Sequence, residues 1–339
     1  MTQKTARRRA AIGDVARLAG VSVGTVSNVL NRPDRVAPVT RERVEAAIAQ
    51  LDFVPNGSAR QLRVGTITTV GAIVLDIANP FFTDVARGIE ERLSRDDYTL
   101  MVASSDEDPG RESRYLRLFE QHGVSGVIVV PATDDVDKLV TLHERGVGVV
   151  VLDRPSPVAE LSSVAVDDVL GGELAAQHLI AQGHTRLAFL NGPHTIRQCA
   201  DRYTGVVRAL TAAGLDPGSA LDELTVPLNA DGGETGTRSL LERPDAHRPT
   251  AVFCVNDLVA LGAVRALRRA GLSVPDDVAI VGYDDVAFAA ELATPLTSVR
   301  QPTHELGLRA ADLLLRGPDA EPEHVVFQPT LVVRESSTA

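Results

Sequence analysis

The stretch VSVGTVSNVLN, residues 21–31, predicts a short helix near the start of the chain. Ser22 is a good N-cap because its side-chain oxygen can accept a hydrogen bond from a backbone N–H of the first turn, and the helix is expected to continue to about Leu30. Its most exposed positions hold only Val23 and Gly24, which have no hydrogen-bonding side chain. The stretch therefore predicts the shape of a binding helix without the polar groups that such a helix usually presents.

Two more helices are expected on either side of this stretch. Residues 14–19 form the first, with Gly20 as its stop because glycine readily ends a helix. After turn residues that include Pro33, Thr40 is expected to cap a third helix whose apolar residues recur at a spacing of three to four. Residues 1–55 therefore predict a compact all-α bundle of three helices.

The charge of the chain is divided unevenly. The formal net charge is −11, but residues 1–64 contain 11 Lys and Arg against 5 Asp and Glu, a net charge of +6, which leaves −17 for the remainder. A basic N-terminal segment on an acidic body indicates a polyanionic partner for that segment alone, since the body repels the same partner.

A helix, a tight turn that contains glycine and a second helix form the unit that places its second helix in the major groove of DNA. Thr25 and Ser27 supply hydroxyls for phosphate oxygens, together with the unpaired N–H groups of the helix N-terminus. Asn28 has the amide needed for paired contacts to adenine. The residues alone leave open the alternative of a generic helical pair with a solvated Asn28.

Composition argues against several other classes of protein. The chain of 339 residues is 44% hydrophobic and 23% charged, as soluble α/β proteins are. Cys199 and Cys254 are too few for a disulfide framework or a thiolate zinc site. The first residues lack an apolar secretion signal, and no apolar run approaches the roughly 20 residues that span a bilayer. A cytoplasmic protein without membrane contact is expected.

From residue 69 onward, apolar strands alternate with amphipathic helices. This order predicts an α/β fold in which parallel sheets carry helices on both faces. The pattern divides near Val166 into two blocks, which indicates paired lobes. The strands are expected at 70–75, 99–103, 127–130, 147–152, 187–190, 224–226, 252–255 and 278–281.

Polar and aromatic side chains cluster around the carboxyl ends of these strands, where open α/β sheets bind ligands. Carboxylates, amides and arginines can pair with vicinal hydroxyls, and phenylalanines offer flat faces to C–H groups, so the set suits a polyol. Single members also have ordinary explanations, since Asn79 and Asn256 can cap helices and Phe81 can belong to the core. The set is Asp76, Asn79, Phe81, Phe82, Asp153, Arg154, Arg202, Asn256, Asp257, Tyr283, Asp284 and Gln301.

Several motifs together resemble the LacI/GalR family of bacterial transcription regulators, and the resemblance covers nearly all of residues 12–334. It implies an N-terminal helix-turn-helix headpiece and a two-lobed core like that of periplasmic binding proteins, with parallel sheets. The motifs are Ile12-Gly13-Asp14-Val15-Ala16, Ala19-Gly20-Val21-Ser22, Thr25-Val26-Ser27, Val29-Leu30-Asn31 and Pro55-Asn56.

The resemblance also implies a division of the chain. The headpiece is expected at 1–55, a hinge helix or linker at 56–68, and a core for effector binding and dimerisation at 69–339. Within the core, the first lobe is expected at about 69–166 and 300–322, and the second at about 167–299 and 323–339.

In that family the positions of Val23, Gly24 and Asn28 face the edges of the bases. The resemblance adds that the hinge helix forms on the operator, where Leu62 from two subunits inserts into the minor groove and bends the DNA. Ala59 and Leu62 are three residues apart, so a helix there would carry both on one face. The residues expected at DNA are Ser22, Val23, Gly24, Thr25, Ser27, Asn28, Asn31, Asn56, Ala59 and Leu62.

In the core, the polar set resembles the site of sugar-responsive family members and of periplasmic pentose-binding proteins. The pattern departs at Pro131, where a polar residue is usual, and at Asn229, where an aromatic is usual. A pentose such as ribose is the favoured effector, and a nucleoside or purine is the alternative. The residues expected at the effector are Asn79, Phe81, Phe82, Asp153, Arg154, Arg202, Asn256, Asp284 and Gln301.

The expected function is that of a ligand-controlled repressor that binds a palindromic operator as a homodimer. One alternative, a sugar-binding protein of a transport system, gives the basic headpiece no role. Another is an enzyme such as a nucleotide-dependent dehydrogenase, but strand 70–75 is not followed by G-x-G-x-x-G and no P-loop is present. The eight His residues have no metal-ligand spacing, so neither a metal nor a cofactor is expected.

Overall fold

The computed structural model describes residues 10–53, 68–244 and 248–338. Two compact units divide the chain, Met1–Ile67 and Thr68–Ala339. The contacts predicted for the hinge lie outside the described residues, namely those of Asn56, Ala59 and Leu62.

In its described residues the first unit is a bundle of three helices around a small apolar core, as predicted. Val15, Val26 and Val44, one from each helix, are fully buried. Gly20 ends the first helix in the left-handed conformation, with φ of 63°. The helices are Ile12–Ala19 (α1), Val23–Asn31 (α2) and Pro38–Leu51 (α3), with a turn of 3₁₀ helix at Pro33–Arg35.

Two of these helices begin earlier than the sequence pattern predicts. The first helix begins at Ile12 because the carboxylate of Asp14 accepts a hydrogen bond from the backbone N–H of Ala11 at 2.9 Å and closes the first turn. The third begins at Pro38 and is not capped by Thr40, because proline at the first helical position has a helical φ and needs no N–H partner.

The second unit contains two six-stranded sheets. The sequence pattern predicts eight of these strands and misses four, β5 and β10 to β12, which are three to five residues long and include polar residues. The strands are Thr69–Val74 (β1), Thr99–Ser104 (β2), Gly126–Val129 (β3), Gly148–Leu152 (β4), Ser162–Val166 (β5), Leu187–Asn191 (β6), Leu221–Thr225 (β7), Ala251–Cys254 (β8), Ala279–Asp284 (β9), Thr297–Arg300 (β10), His324–Phe327 (β11) and Thr330–Val332 (β12).

Helices cover the faces of both sheets. Within the described ranges, none of them is long and apolar enough to cross a membrane. The helices are Pro80–Ser94 (α4), Pro109–Gln121 (α5), Asp137–Glu144 (α6), Asp168–Ala181 (α7), Arg197–Ala212 (α8), Pro217–Ala220 (α9), Ala230–Leu241 (α10), Asp257–Arg269 (α11) and Thr303–Leu315 (α12), with 3₁₀ turns at Ala287–Ala290 and Glu335–Ser337.

Each sheet defines one lobe of the second unit. The first lobe has the strand order β11-β5-β4-β3-β1-β2 with all pairs parallel, and the second has the order β12-β10-β9-β8-β6-β7 with only β12 antiparallel. The chain passes between the lobes after Val166, after Arg300 and after Phe327. The chain returns to the second lobe for the last time after Phe327, a few residues later than the boundary predicted at 323, because β11 pairs with β5 in the first sheet.

Helices α7 and α8 of the second lobe approach each other closely at two glycines. A methyl group on Gly172 would lie 2.1 Å from the carbonyl oxygen of Arg202, and one on Gly205 would lie 2.0 Å from the carbonyl oxygen of Val169. Only glycine fits at such distances. The contact brings the side chain of Arg202 to within hydrogen-bonding reach of Asp168 at the start of α7.

Candidate functional site

The exposed side of α2 is the candidate DNA-reading surface of the first unit. Val23 is 47% exposed, and Gly24 and Asn28 are exposed as well. Because Gly24 and Asn28 are four residues apart, they share one side of the helix. A methyl group on Gly24 would meet only the Ser22 hydroxyl, at 3.5 Å, which is an ordinary contact. The fold therefore does not require glycine at this position.

Four polar residues at the two ends of α2 bond to one another in pairs, Ser22 with Thr25 and Ser27 with Asn31. The Ser22 hydroxyl accepts a hydrogen bond from the backbone N–H of Thr25 at 3.1 Å, so Ser22 is the N-cap that the sequence predicts. The amide of Asn31 donates to the carbonyl oxygen of Ser27 at 2.8 Å. Ser27, predicted at DNA, is buried on the inner side of the helix, whereas Asn31 is exposed.

The second unit holds a cavity between its two lobes. The space between its walls is about 490 Å³, a figure that includes open solvent at the mouth. Its walls come from the carboxyl ends of β1 and β4 in the first lobe and of β8 and β9 in the second, as the sequence predicts for such sheets. The lining residues are Leu75, Asp76, Asn79, Phe81, Phe82, Glu107, Asp153, Ile196, Gln198, Cys199, Arg202, Leu228, Val255, Asn256, Asp284 and Gln301.

Among the residues that the structure describes, Arg202 is the only positively charged one in the lining. Its Nε donates to Asp168 at 2.8 Å, its Nη1 donates to the carbonyl of Val255 at 2.6 Å, and its guanidinium lies 3.6 Å from the centre of the Tyr283 ring. Burial by itself lowers the pKa of Arg202, but the negative charge of Asp168 and its neighbours raises it, so the guanidinium stays charged. The residue is thus a fixed cation at the base of the cavity.

In the described parts of the two lobes, two hydrogen bonds join the lobes across the cavity. Gln198 of the second lobe donates through Nε2 to Asp153 of the first at 2.7 Å. Asn79 of the first lobe donates through Nδ2 to Asp284 of the second at 3.4 Å. The groups that form these bonds line the cavity, where a ligand with hydroxyl groups would compete for them.

The two carboxylates of these bonds lie in a strained and dry environment. Asp153 has φ of 64° and Asp284 has φ of 104°. Residues other than glycine rarely adopt such positive φ values. Burial raises the pKa of Asp153 well above its ordinary value, with Asp168 adding to the effect, and burial raises the pKa of Asp284 to about 6. Such strain and such buried charge are typical of ligand sites.

Eight of the nine residues predicted at the effector line this cavity, and Arg154 does not. The side chain of Arg154 is buried, and its guanidinium donates to the carbonyl of Thr133 at 3.1 Å and to the carboxylate of Asp134. An acidic residue in the loop after β3 thus holds this arginine away from the lining.

The sequence pattern misses several lining residues, chiefly Gln198, Glu107 and Leu228. Gln198 lies on α8 one turn before Arg202, and that spacing of four was the available signal, since both face the same side of the helix. Glu107 comes three residues after the end of β2, so it is not among the residues that directly follow a strand.

Leu228 explains the departure that the sequence shows at Asn229. The Asn229 side chain caps α10 by accepting a hydrogen bond from the N–H of Gly232 at 3.0 Å. The neighbouring Leu228 lines the cavity in its place. An aliphatic side chain therefore occupies this part of the wall, where an aromatic residue was expected.

The described residues contain no group of three or more His, Cys, Asp or Glu side chains arranged to hold a metal ion. Both cysteines are buried as free thiols. Burial raises the pKa of the Cys199 thiol to about 12, so it is protonated at neutral pH.

Comparison with protein families gives two matches. Residues 11–56 match the family described as bacterial regulatory proteins, lacI family. Residues 176–337 match the periplasmic binding protein-like domain. The first match covers the helical bundle, and the second covers most of the second lobe together with α12, β11 and β12.

Curated relatives match the chain over nearly its whole length. The HTH-type transcriptional repressor PurR of Aliivibrio fischeri is 34% identical over 334 residues, covering 96% of this chain and 98% of the relative. The ribose operon repressor of Escherichia coli is 35% identical over 323 residues, covering 95% of this chain and 94% of the relative.

Solved structures match both units. A lac repressor dimer bound to operator and an anti-inducer superposes with a TM-score of 0.80 at 28% identity, covering 98% of this chain and all of that one. A LacI family regulator from Enterococcus faecium with bound ribose gives a TM-score of 0.73 at 31% identity, covering 80% of this chain and 98% of that one.

Proposed function

The chain belongs to the lacI family of bacterial regulatory proteins, and from this premise we propose that it is a repressor controlled by a small sugar. At the coarser level it is a ligand-responsive DNA-binding regulator, like its relatives. The finer statement concerns three points: the chemistry of the effector, the DNA complex, and the link between the two.

Three buried oxygen atoms without a hydrogen-bond partner carry the proposal for the effector. They are Oδ1 of Asp153, Oε1 of Gln198 and Oε1 of Gln301, on side chains that line the cavity and are at most 4% exposed. Buried acceptors are normally satisfied, and leaving one unsatisfied costs on the order of 1–3 kcal/mol. A polyol carries several hydroxyl donors, so it can satisfy more than one of these acceptors.

The aromatic part of the lining supports the same chemistry. Phe81 and Phe82 are both buried, with ring centroids 4.9 Å apart in an edge-to-face arrangement. Rings of this kind pack against the C–H groups of a sugar while the polar side chains meet its hydroxyls. We favour a pentose such as ribose, which also fits the ribose bound to the Enterococcus faecium regulator.

The DNA complex is proposed to contain two copies of the chain on a palindromic operator, with α2 in the major groove. An exposed apolar strand supports the pairing. Strand β2 lies at one edge of its sheet, and Met101 and Val102 on it are 42% and 37% exposed. An edge with exposed apolar side chains is a surface that proteins usually cover.

The effector is proposed to act through the lobe-to-lobe bonds. A sugar at Asp153 and Asp284 competes for the carboxylates that Gln198 and Asn79 now hold. The separation of the lobes then changes. This alters how two copies of the chain pair and how tightly they bind DNA. By linkage, operator binding then changes effector affinity by the same factor.

A purine or nucleoside is the second candidate effector. It is favoured by the 34% identity to PurR, which is close to the 35% identity to the ribose operon repressor. Phe81 and Phe82 could stack on a base as readily as on a sugar.

Two assays with the full-length protein test the proposal. A thermal-shift panel of pentoses, hexoses, purines and nucleosides identifies the ligand, because a molecule that binds only the native state raises its stability. An electrophoretic shift with fragments from around its own gene, with and without that ligand, tests DNA binding. We expect a pentose to raise the melting temperature and to change the shift. Stabilisation by purines alone contradicts the sugar effector, and the absence of any shift at low salt contradicts the regulator.

A further inference from the structure

The charges that line the cavity are unbalanced. Four carboxylates face it and one arginine does, and Arg202 is already paired with Asp168 behind the wall. Arg154, the second arginine expected in the lining, donates a hydrogen bond to the carboxylate of Asp134 instead. The four carboxylates are those of Asp76, Glu107, Asp153 and Asp284.

The carboxylates fall into an inner and an outer pair. Asp153 and Asp284 are buried and bonded across the lobes, whereas Asp76 and Glu107 are partly exposed and so lie toward the mouth. We call the latter two the outer pair. Burial raises the pKa of Glu107, and the negative charges of Asp76 and Asp106 add to the effect.

Glu107 has no partner of its own in the described part of the chain. No hydrogen bond or ion pair reaches its carboxylate, although the neighbouring Asp106 is bonded to Arg111 and Ser104. The backbone at Glu107 has φ of 59°, which a glutamate adopts only at a cost. An unpaired carboxylate held in a strained loop at the edge of a cavity is a good position for recognising a cation.

The hydrogen-bonding groups deeper in the cavity point the same way. All four amide side chains of the lining donate to oxygen atoms of the protein, and the buried lining atoms that have no partner among the described residues are oxygens of Asp153, Gln198 and Gln301. The cavity therefore favours a ligand that donates hydrogen bonds. A phosphate ester brings only acceptors and negative charge, and a purine base brings several ring nitrogens that are acceptors.

We propose that the effector is a polyol that carries a positively charged amino group. Its hydroxyls donate to the inner oxygens of Asp153, Gln198 and Gln301, and its ammonium group lies between Asp76 and Glu107. This inference rests on the proposed sugar effector and narrows it to an amino sugar or an imino polyol. Glu107 is then the residue that determines the preference for charge.

Calorimetric titration of the full-length protein tests this with matched probes. Each pentose is compared with its 1,4-imino pentitol and its 5-phosphate, and each hexose with its 2-amino and 6-phosphate derivatives. We expect one cationic probe to bind about tenfold more tightly than its neutral parent, as one charge-assisted hydrogen bond provides, and the phosphates not to bind.

The variant Glu107→Gln separates charge recognition from folding. It is expected to reduce the preference for the cationic probe by about tenfold while the affinity for the neutral parent stays within about twofold. Glu90→Gln is the matched control, since Glu90 is exposed on α4 and does not line the cavity. Both variants should melt at the temperature of the parent protein.

Two results overturn the inference. One is a neutral sugar that binds as tightly as its cationic analogue, and the other is a charge preference that Glu107→Gln leaves intact. In both cases a neutral sugar that changes operator binding keeps the proposed function standing. If no probe of any charge binds, the sugar effector itself is refuted together with the inference.

Discussion

Helix α2, the proposed DNA-reading helix, and the proposed effector cavity are built in opposite ways. Helix α2 presents Val23 and Gly24 to solvent and contains no ionisable side chain. The cavity buries charged groups such as Asp153, Asp284 and Arg202, and each is held by specific partners. On the proposed function, we expect recognition by the helix to depend on backbone approach, on Asn28 and on charge from neighbouring segments, and recognition by the cavity to depend on fixed polar atoms.

The largest effect expected from this difference is the salt dependence of operator binding. Residues 1–64 have a net charge of +6, so affinity comes mainly from phosphate contacts that release counterions. We expect operator affinity to fall by about a thousandfold between 50 and 200 mM salt. Fluorescence anisotropy with a labelled operator measures it, and a flat response contradicts the role assigned to the basic segment.

The next effect concerns the fixed cation of the cavity. Arg202→Ala leaves Asp168 buried without its partner, which should lower the free energy of unfolding by about 3 kcal/mol and abolish effector binding. Arg197→Ala is the control, because this arginine pairs with Asp201 on the same helix but is half exposed, and its loss should cost less than about 1 kcal/mol.

Denaturant unfolding and operator binding together decide the outcome for Arg202. We expect the variant to keep its operator affinity at temperatures where it is folded. Loss of operator binding along with effector binding would make Arg202 a structural residue of the whole chain. If Arg202→Ala and Arg197→Ala have the same free energy of unfolding, the stabilisation assigned to the buried ion pair is contradicted.

The pH dependence of stability sharpens the comparison further. The pKa of Asp284 is raised by burial to about 6 in the folded protein from an ordinary 3.8, so the folded state holds its proton more tightly than the unfolded state does. The stability that this proton contributes is complete below pH 3.8 and is lost as pH rises through 6. The groups that face Asp284 include Arg202, Gln301, Asn79 and Asp168.

Asp284→Asn removes this titration. Relative to the parent protein, the variant should gain about 2 kcal/mol in unfolding free energy between pH 4 and pH 7. Thermal and denaturant melts across that range, without effector, provide the measurement. A difference between the two proteins that does not change with pH shows that Asp284 does not titrate as described. The reading helix contains no group that titrates in this range.

The smallest effect expected is at Gly24 itself. Because the fold leaves room for a methyl group there, Gly24→Ala should stabilise α2 by up to about 1 kcal/mol. Gly20→Ala is the matched control with the opposite sign, since its φ of 63° penalises any side chain. Hydrogen exchange of the α2 amides in the full chain reports both. If Gly24→Ala strengthens the helix yet weakens operator binding, Gly24 serves close approach to DNA.

The fold of the headpiece could be predicted because its signals are local. Gly20 and Ser22 mark a helix end and a helix start, and each acts through atoms within four residues. The helix starts near Ile12 and Pro38 were misplaced, because Asp14 and proline close the first turn in ways that periodicity does not report.

The cavity could be predicted only in part, because its residues come together from distant segments. Eight of the nine residues that the family resemblance predicts at the effector line the cavity, and most of them follow strands, since parallel strands deliver their carboxyl ends to one edge. The strand-end rule also names Arg154, which does not line the cavity because its guanidinium donates to Asp134 in another loop. It missed Glu107 and Gln198, whose positions depend on a loop conformation and on the angle of α8.

One measurement tests the central claim, that a ligand in the cavity controls DNA binding. Operator affinity is determined by anisotropy at fixed salt, with and without a saturating amount of the sugar that most stabilises the protein. The account predicts a change of about tenfold or more, the usual size of such coupling, and no change for Arg202→Ala. An operator affinity that the bound sugar leaves unaltered contradicts the account.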